Sequence, residues 1–128
     1  MTKRRLISTG SPMEKLAGYS RAVVQGDFVH VSGTTGFDYS TMVMPEGAAT
    51  QTRNALETIK KALGDADSCL EDVVRGRYYL ANSDDVDEVF AVLGEYFGDI
   101  RPAATMVICG LVSPDMLVEI EVTAQKQS

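Results

Sequence analysis

Basic residues, cysteine and histidine are all scarce in this chain, and each shortage closes off a class of function. Twelve Lys and Arg stand against eighteen Asp and Glu, for a formal charge of −6 at pH 7. A nucleic-acid groove needs clustered cations to neutralise phosphates. The one basic run, Lys3-Arg4-Arg5, is too short to supply it, so no nucleic-acid partner is expected. There is a single histidine, His30, and the two cysteines, Cys69 and Cys109, form no CxxC pair. A zinc site would need nearly all three to converge, so no metal is expected. Isolated cysteines and the lack of an apolar leader point to a reduced, cytoplasmic setting. No apolar run approaches the ~20 residues of a membrane-spanning helix, and no membrane partner is expected. Repeats and low-complexity stretches are also missing.

What the chain does have is the material of one ordinary domain, expected to run from residue 1 to 128. Hydrophobic residues make up 45% of its 128 positions. A chain of this length buries roughly two-thirds of its unfolded surface, enough for a core without disulfide or metal staples. Arg5 to Ser8 reads as a short first strand. Two apolar runs, residues 21–25 and 28–33, flank Gly26-Asp27 and read as a β-hairpin. The Gly-, Thr- and Ser-rich stretch from Gly33 to Gly47 reads as a loop. Apolar residues at three- and four-residue spacing from Ala48 to Leu63 predict a helix that Gly64 ends. Val73 to Leu80 alternates as a strand. A second helix follows, capped by Asn82 or Ser83, with Val86, Val89, Phe90, Leu93, Tyr96 and Phe97 as its core stripe. Ala104 to Leu111 is a further strand, Val112 to Asp115 a turn, and Leu117 to Lys126 the last strand.

The order β-β-α-β-α-β-β fits an α/β (α+β) fold of one sheet, opened and closed by hairpin-like pairs, with both helices on one face. Alternation then sorts the strands' side chains. Val118, Ile120, Val122 and Ala124 must face the helices, and Glu119, Glu121 and Thr123 face away. Likewise Val74, Gly76, Tyr78 and Leu80 are expected inward, with Arg75, Arg77 and Tyr79 outward. The outward face is either a solvated surface with cross-strand ion pairs or an oligomer interface with a site on its rim. Spacing alone leaves both open.

Several segments, in this order and across nearly the whole chain, resemble the Rid (reactive intermediate deaminase, YjgF-type) family. They are Gly18-Tyr19-Ser20-Arg21-Ala22-Val23, Phe28-Val29-His30-Val31-Ser32-Gly33, Gln51-Thr52-Arg53-Asn54-Ala55-Leu56, Leu70-Glu71-Asp72-Val73-Val74, Arg101-Pro102-Ala103-Ala104-Thr105 and the run from Leu117 to Ala124. The resemblance implies the same element order. It also implies a homotrimer whose non-helical sheet faces close into a barrel, with small-metabolite clefts between subunits. That favours the interface reading of the outward face. Active members hydrolyse imino and enamino acids to oxo acids and ammonia without metal or cofactor, using an Arg for the substrate carboxylate and a Glu to position water.

Carried over by position, Glu119 matches the water-positioning Glu, Tyr19 the pocket Tyr, and Ser32-Gly33 a Ser-Gly turn that forms one wall. Where active members place the carboxylate-binding Arg, this chain has Ala104, followed by Thr105. Loss of that Arg predicts little turnover of 2-iminobutyrate-type substrates. Arg101, three residues earlier, is the first candidate to replace it. The alternative for Arg101, and equally for Arg21 and Arg53, is an ordinary solvated residue. Phe90 aligns where active members often place a cleft Asn, and reads here as core. His30 is expected to pack or hydrogen-bond at an interface, Cys109 to act as a small hydrophobe within a strand, and Glu121 to pair with Arg75 or Arg77 in the trimer core. Met42 and Met44 form either a soft lid or a plain surface loop. Three functions compete. The first is an imine or enamine deaminase or related hydrolase, the second a non-catalytic metabolite-binding trimer, and the third, disfavoured by charge, an RNA-cleaving protein.

Overall fold

The computed structural model describes residues 4–127. It contains β1 (Arg4–Ile7), α1 (Pro12–Ala17), β2 (Ala22–Gln25), β3 (Phe28–Thr35), α2 (Ala48–Asp65), β4 (Val73–Leu80), α3 (Val86–Phe97), β5 (Ala103–Ile108) and β6 (Val118–Gln125), with 3₁₀ turns at Leu70–Asp72 and Ser83–Asp85. The strands form one six-stranded sheet in the order β1-β2-β3-β6-β4-β5. Every neighbouring pair is antiparallel except β4 and β5, which run parallel. Among the described residues, no helix is long and apolar enough to cross a membrane.

The core lies between the sheet and the two long helices. Ala48, Thr52, Ala55, Leu56, Ile59, Ala62 and Leu63 of α2 are buried, as their spacing predicts. They pack with Val118, Ile120, Val122 and Ala124 of β6, all inward by strand alternation. Full burial of an Ile or Leu side chain is worth about 1.5–3 kcal/mol, so this face supplies the fold's main cohesion. Gln51 is buried among them and spends its amide on chain geometry. Its Nε2 donates to the carbonyls of Pro45 (2.8 Å) and Asp115 (2.9 Å), and its Oε1 accepts from Leu117 N–H (2.9 Å). One side chain thereby ties the segment before α2 to the segment before β6.

Several expectations are corrected. The last two strands do not form a hairpin. β6 inserts between β3 and β4, and β5 lies on the far side of β4. The crossover helix α3 makes the parallel β4–β5 pair natural, and the Cys109–Leu117 connection is long enough to pass the end of β4, where Cys109 N–H donates to Leu80 O and Ala81 N–H to Leu117 O. β5 ends at Ile108, short of the expected Leu111. Val74 is 46% exposed and not inward. A bulge between Val73 and Arg75 gives the inward place to Val73. Phe90 is 54% exposed, and Val92 occupies the core instead. A 3₁₀ turn precedes α3, and neither Asn82 nor Ser83 caps that helix through its side chain.

Residues 12–17, for which apolar spacing predicts no element, form α1. Its signals are local. Ser11 accepts from Met13 N–H at the N-terminus, Pro12 opens the helix, and Gly18 closes it at φ 74°, donating to Glu14 O. At that angle a side chain would strain the backbone.

Candidate functional site

The site begins with a defect in the sheet. Opposite β6, Val31 pairs with Val122 and Thr34 with Ile120, so three steps along β3 answer two along β6. The extra residue makes a bulge at Ser32-Gly33, which re-aims the chain where Thr35 meets Glu119. Ser32 is held on both polar groups: its N–H donates to Arg21 O (2.9 Å) and its hydroxyl to Ser20 O (2.6 Å). Ser32 therefore builds the wall and has no hydroxyl proton free for other work. Gly33 lies directly against the Glu119 carboxylate, so a Cβ there would overlap it. Glycine at 33 is what allows Glu119 its place.

Behind the bulge stands Arg21, read from sequence as either a cation available to the cleft or an ordinary solvated residue, and here 1% exposed. A bend just before β2 brings it beside α2, where it borders a hollow with Asn54 and Thr58. Its Nη1 donates to Gly33 O (2.9 Å) and Thr34 Oγ1 (3.0 Å). Its guanidinium lies 4.5 Å from the Tyr39 ring centroid and 5.7 Å from that of Tyr19. Its Nε has no partner. Tyr39 in turn accepts from Thr35 N–H (3.0 Å). A buried cation thus pins the bulge from behind, flanked by two tyrosines.

Glu119 projects from the non-helical face of β6 and is half-buried. Burial pushes its carboxyl above the usual range, the charge of Glu121 adds to the rise, and the Arg21 charge opposes it. Among the described residues no hydrogen bond holds the Glu119 carboxylate. Glu121, by contrast, accepts from the Tyr79 hydroxyl. That bond, then burial, raises the Tyr79 phenol. Within one chain Glu121 thus pairs with Tyr79, and it borders a hollow together with Arg75 and Arg77. Glu119 borders two hollows. One, of about 430 Å³, is lined by Tyr19, Ser32, Gly33, Thr35, Tyr39 and, across from them, Met13, Leu16, Val112 and Met116. The other, of about 630 Å³, lies toward Tyr79, Glu121, Cys109 and Gly110.

The fold therefore brings Tyr19, Ser32, Gly33 and Glu119 together within one chain. Arg101, Ala104 and Thr105 border neither hollow. They stand exposed on or just before the free edge strand β5. Arg101 adopts φ 55° and donates its backbone N–H to Phe97 O, closing α3. Met42 and Met44 also lie away from the hollow. Their loop is tied by Asp38, which exchanges backbone bonds with Val43 and Met42 and binds Ser40. His30 is exposed and stacks on Phe28 at 6.0 Å. Cys109 falls just beyond β5 and is half-buried. Among the described residues no group of three His, Cys, Asp or Glu is placed to hold a metal.

Sequence reasoning missed Tyr39 and the apolar wall, and it named Arg21 without its burial, which the bend before β2 produces. Met13 and Leu16 come from α1, whose signals are its caps alone.

Known proteins resemble this chain in sequence and in fold. The family model described as Endoribonuclease L-PSP matches residues 9–126. A protein from Acinetobacter baylyi named 3-aminoacrylate deaminase RutC is 40% identical over 94% of this chain and 95% of its own length. An uncharacterised protein of Streptomyces coelicolor is 37% identical over 95% of this chain and 92% of its own length. The crystal structure of a YjgF/YER057c/UK114 family member from Mycobacterium tuberculosis superposes with a TM-score of 0.88 at 43% identity, covering 96% of this chain and 99% of the other. By sequence along nearly its whole length and by fold, this chain belongs to the Endoribonuclease L-PSP family, also called YjgF or Rid.

Proposed function

We propose that this protein hydrolyses a small imine or enamine to the carbonyl compound and ammonia, without metal or cofactor, in a cleft centred on Glu119. The observation that carries the reading is the Glu119 carboxylate: half-buried, unbonded and held basic by its surroundings, at the mouth of a hollow. A general base is most effective when its pKa approaches the working pH. An enamine first tautomerises to its imine. Glu119 takes a proton from water as the water oxygen bonds to the C=N carbon. In the protonated imine the C=N electron pair moves to nitrogen as the C–O bond forms, giving a neutral carbinolamine. The protonated Glu119 then returns its proton to that nitrogen. The hydroxyl gives its proton to water as its electron pair forms C=O, the C–N bond breaks and ammonia leaves. The 40% identical relative named as a 3-aminoacrylate deaminase supports the same class of chemistry.

We place this chemistry in a homotrimer. Val107 (40% exposed) and Ile108 (47%) stand on an unpaired edge strand, and Phe28 (41%) on the open sheet face. Such an edge invites pairing unless it is covered, and a closed ring covers it in every copy. A neighbouring β5 would then bring its Ala104, Thr105 and Arg101 toward the hollow. Light scattering should give three times the chain mass at micromolar concentration, and a monomer mass would refute the trimer.

A second reading, a metabolite-binding trimer without turnover, is favoured by Ala104, which gives no grip on a substrate carboxylate. Ammonia release separates the two: the hydrolase reading requires release above the uncatalysed rate, lowered at least about tenfold by Glu119→Gln. The net charge of −6 favours a small metabolite over RNA as substrate.

A further inference from the structure

The wall facing Glu119 is apolar. Met13, Leu16 and Ala17 reach it from α1, and Val112 and Met116 from the segment before β6. Two of these are large apolar residues left almost wholly in solvent, Leu16 at 86% and Val112 at 91% exposed. Polar residues do line the hollow, but its only charged one is Glu119. The nearby cation does not line the hollow. Arg21 is buried, lies outside that lining, and spends Nη1 on Gly33 O and Thr34 Oγ1. A carboxylated substrate would thus meet a carboxylate in a half-buried hollow whose lining holds no cation, and the one charge that offsets Glu119, that of Arg21, acts from outside it, an arrangement that penalises a second anion. An uncharged substrate with an aliphatic or aromatic side would bury that side on α1 and Val112 and present its C=N carbon to Glu119.

Resting on the hydrolase reading above, we infer that the substrates of this site are uncharged, apolar imines or enamines, with no carboxylate beside the reacting carbon. The device that sets this specificity is the pairing of an apolar α1 wall with a lone acidic group. Gln51 supports it, because its bonds to Asp115 O and Leu117 N–H hold the segment that carries Met116.

The test uses the intact protein and two product analogues with one skeleton, 4-methylpentan-2-one and 4-methyl-2-oxopentanoate, with affinity measured by calorimetry at neutral pH. The ketone should bind at least about tenfold more tightly than the oxo acid. Val112→Arg, at an exposed position where folding is not at risk, should narrow or reverse that ratio. Equal or tighter binding of the oxo acid by the unaltered protein overturns the inference, and Arg101 of a neighbouring copy would be the first cation to examine. Failure of both analogues to bind also overturns it. Turnover is read separately, as ammonia released from imines generated in place by an amine oxidase or an amino-acid oxidase. Ketone binding with no release from either imine keeps the specificity and refutes the hydrolase. Release chiefly from the carboxylated imine keeps the hydrolase and refutes the specificity.

Discussion

The two faces of β6 divide the work of the molecule. Val118, Ile120, Val122 and Ala124 are at most 3% exposed and lock the strand to α2. Glu119 and Glu121, one residue out of phase, reach the hollows of the opposite face. Alternation lets a single strand anchor the fold and present acid groups without either task disturbing the other. The inward face tolerates no polar surplus. The outward face keeps a carboxylate without a hydrogen bond, which costs stability and supplies reactivity.

Substitutions on either face can break or sharpen that contrast. The largest loss should come from the inward face: Ile120→Ala should cost about 2–5 kcal/mol in urea unfolding, the usual range for a truncated core residue. Arg21→Met comes next. It fills much of the space but leaves Gly33 O and Thr34 without their donor, a loss of about 1–3 kcal/mol. It also removes the one charge that lowers the Glu119 pKa, so Glu119 should titrate at still higher pH, readable by carboxyl-resolved NMR. Glu119→Gln should reduce turnover at least about tenfold while changing stability by less than about 0.5 kcal/mol. The sign of that small change follows from linkage. A carboxyl whose folded pKa is raised gives its full stability below the unfolded value, and loses it as pH rises through the folded value. Unfolding should therefore show no gain for Glu119→Gln in acid and a slight gain at neutral pH. The smallest effect belongs to Phe90→Ser. Exposed on α3, it should alter thermal stability within about 0.5 kcal/mol, whereas Leu93→Ala on the buried side should cost several times more.

Much of this division was legible before the structure. Unbroken alternation through residues 118–124 named both faces of β6, and the spacing from Ala48 to Leu63 named the covering helix. The same rule failed where the backbone breaks period. The bulge after Val73 exchanged Val73 for Val74, and the bulge at Ser32-Gly33 is written only as a glycine that must lie against a carboxylate. Phe90 looked like core because helical spacing admits it at the stripe's edge, and only packing against α2 selects Val92. Strand order was illegible because pairing is non-local: nothing in residues 109–117 states that β6 enters between β3 and β4. For the site, positional resemblance supplied Tyr19, Ser32, Gly33 and Glu119, which the fold gathers. The burial of Arg21 stayed hidden because an arginine's burial depends on partners that only the folded chain brings to it.

The pH dependence of turnover in the unaltered protein and in Glu119→Gln tests the central claim most directly. If the Glu119 carboxylate is the base, the rate should fall as pH drops through a limb above the ordinary glutamate value of 4.5. Glu119→Gln should lose that limb and run at least about tenfold slower at its plateau. A Glu119→Gln protein that keeps both the rate and the limb would show that the chemistry lies elsewhere.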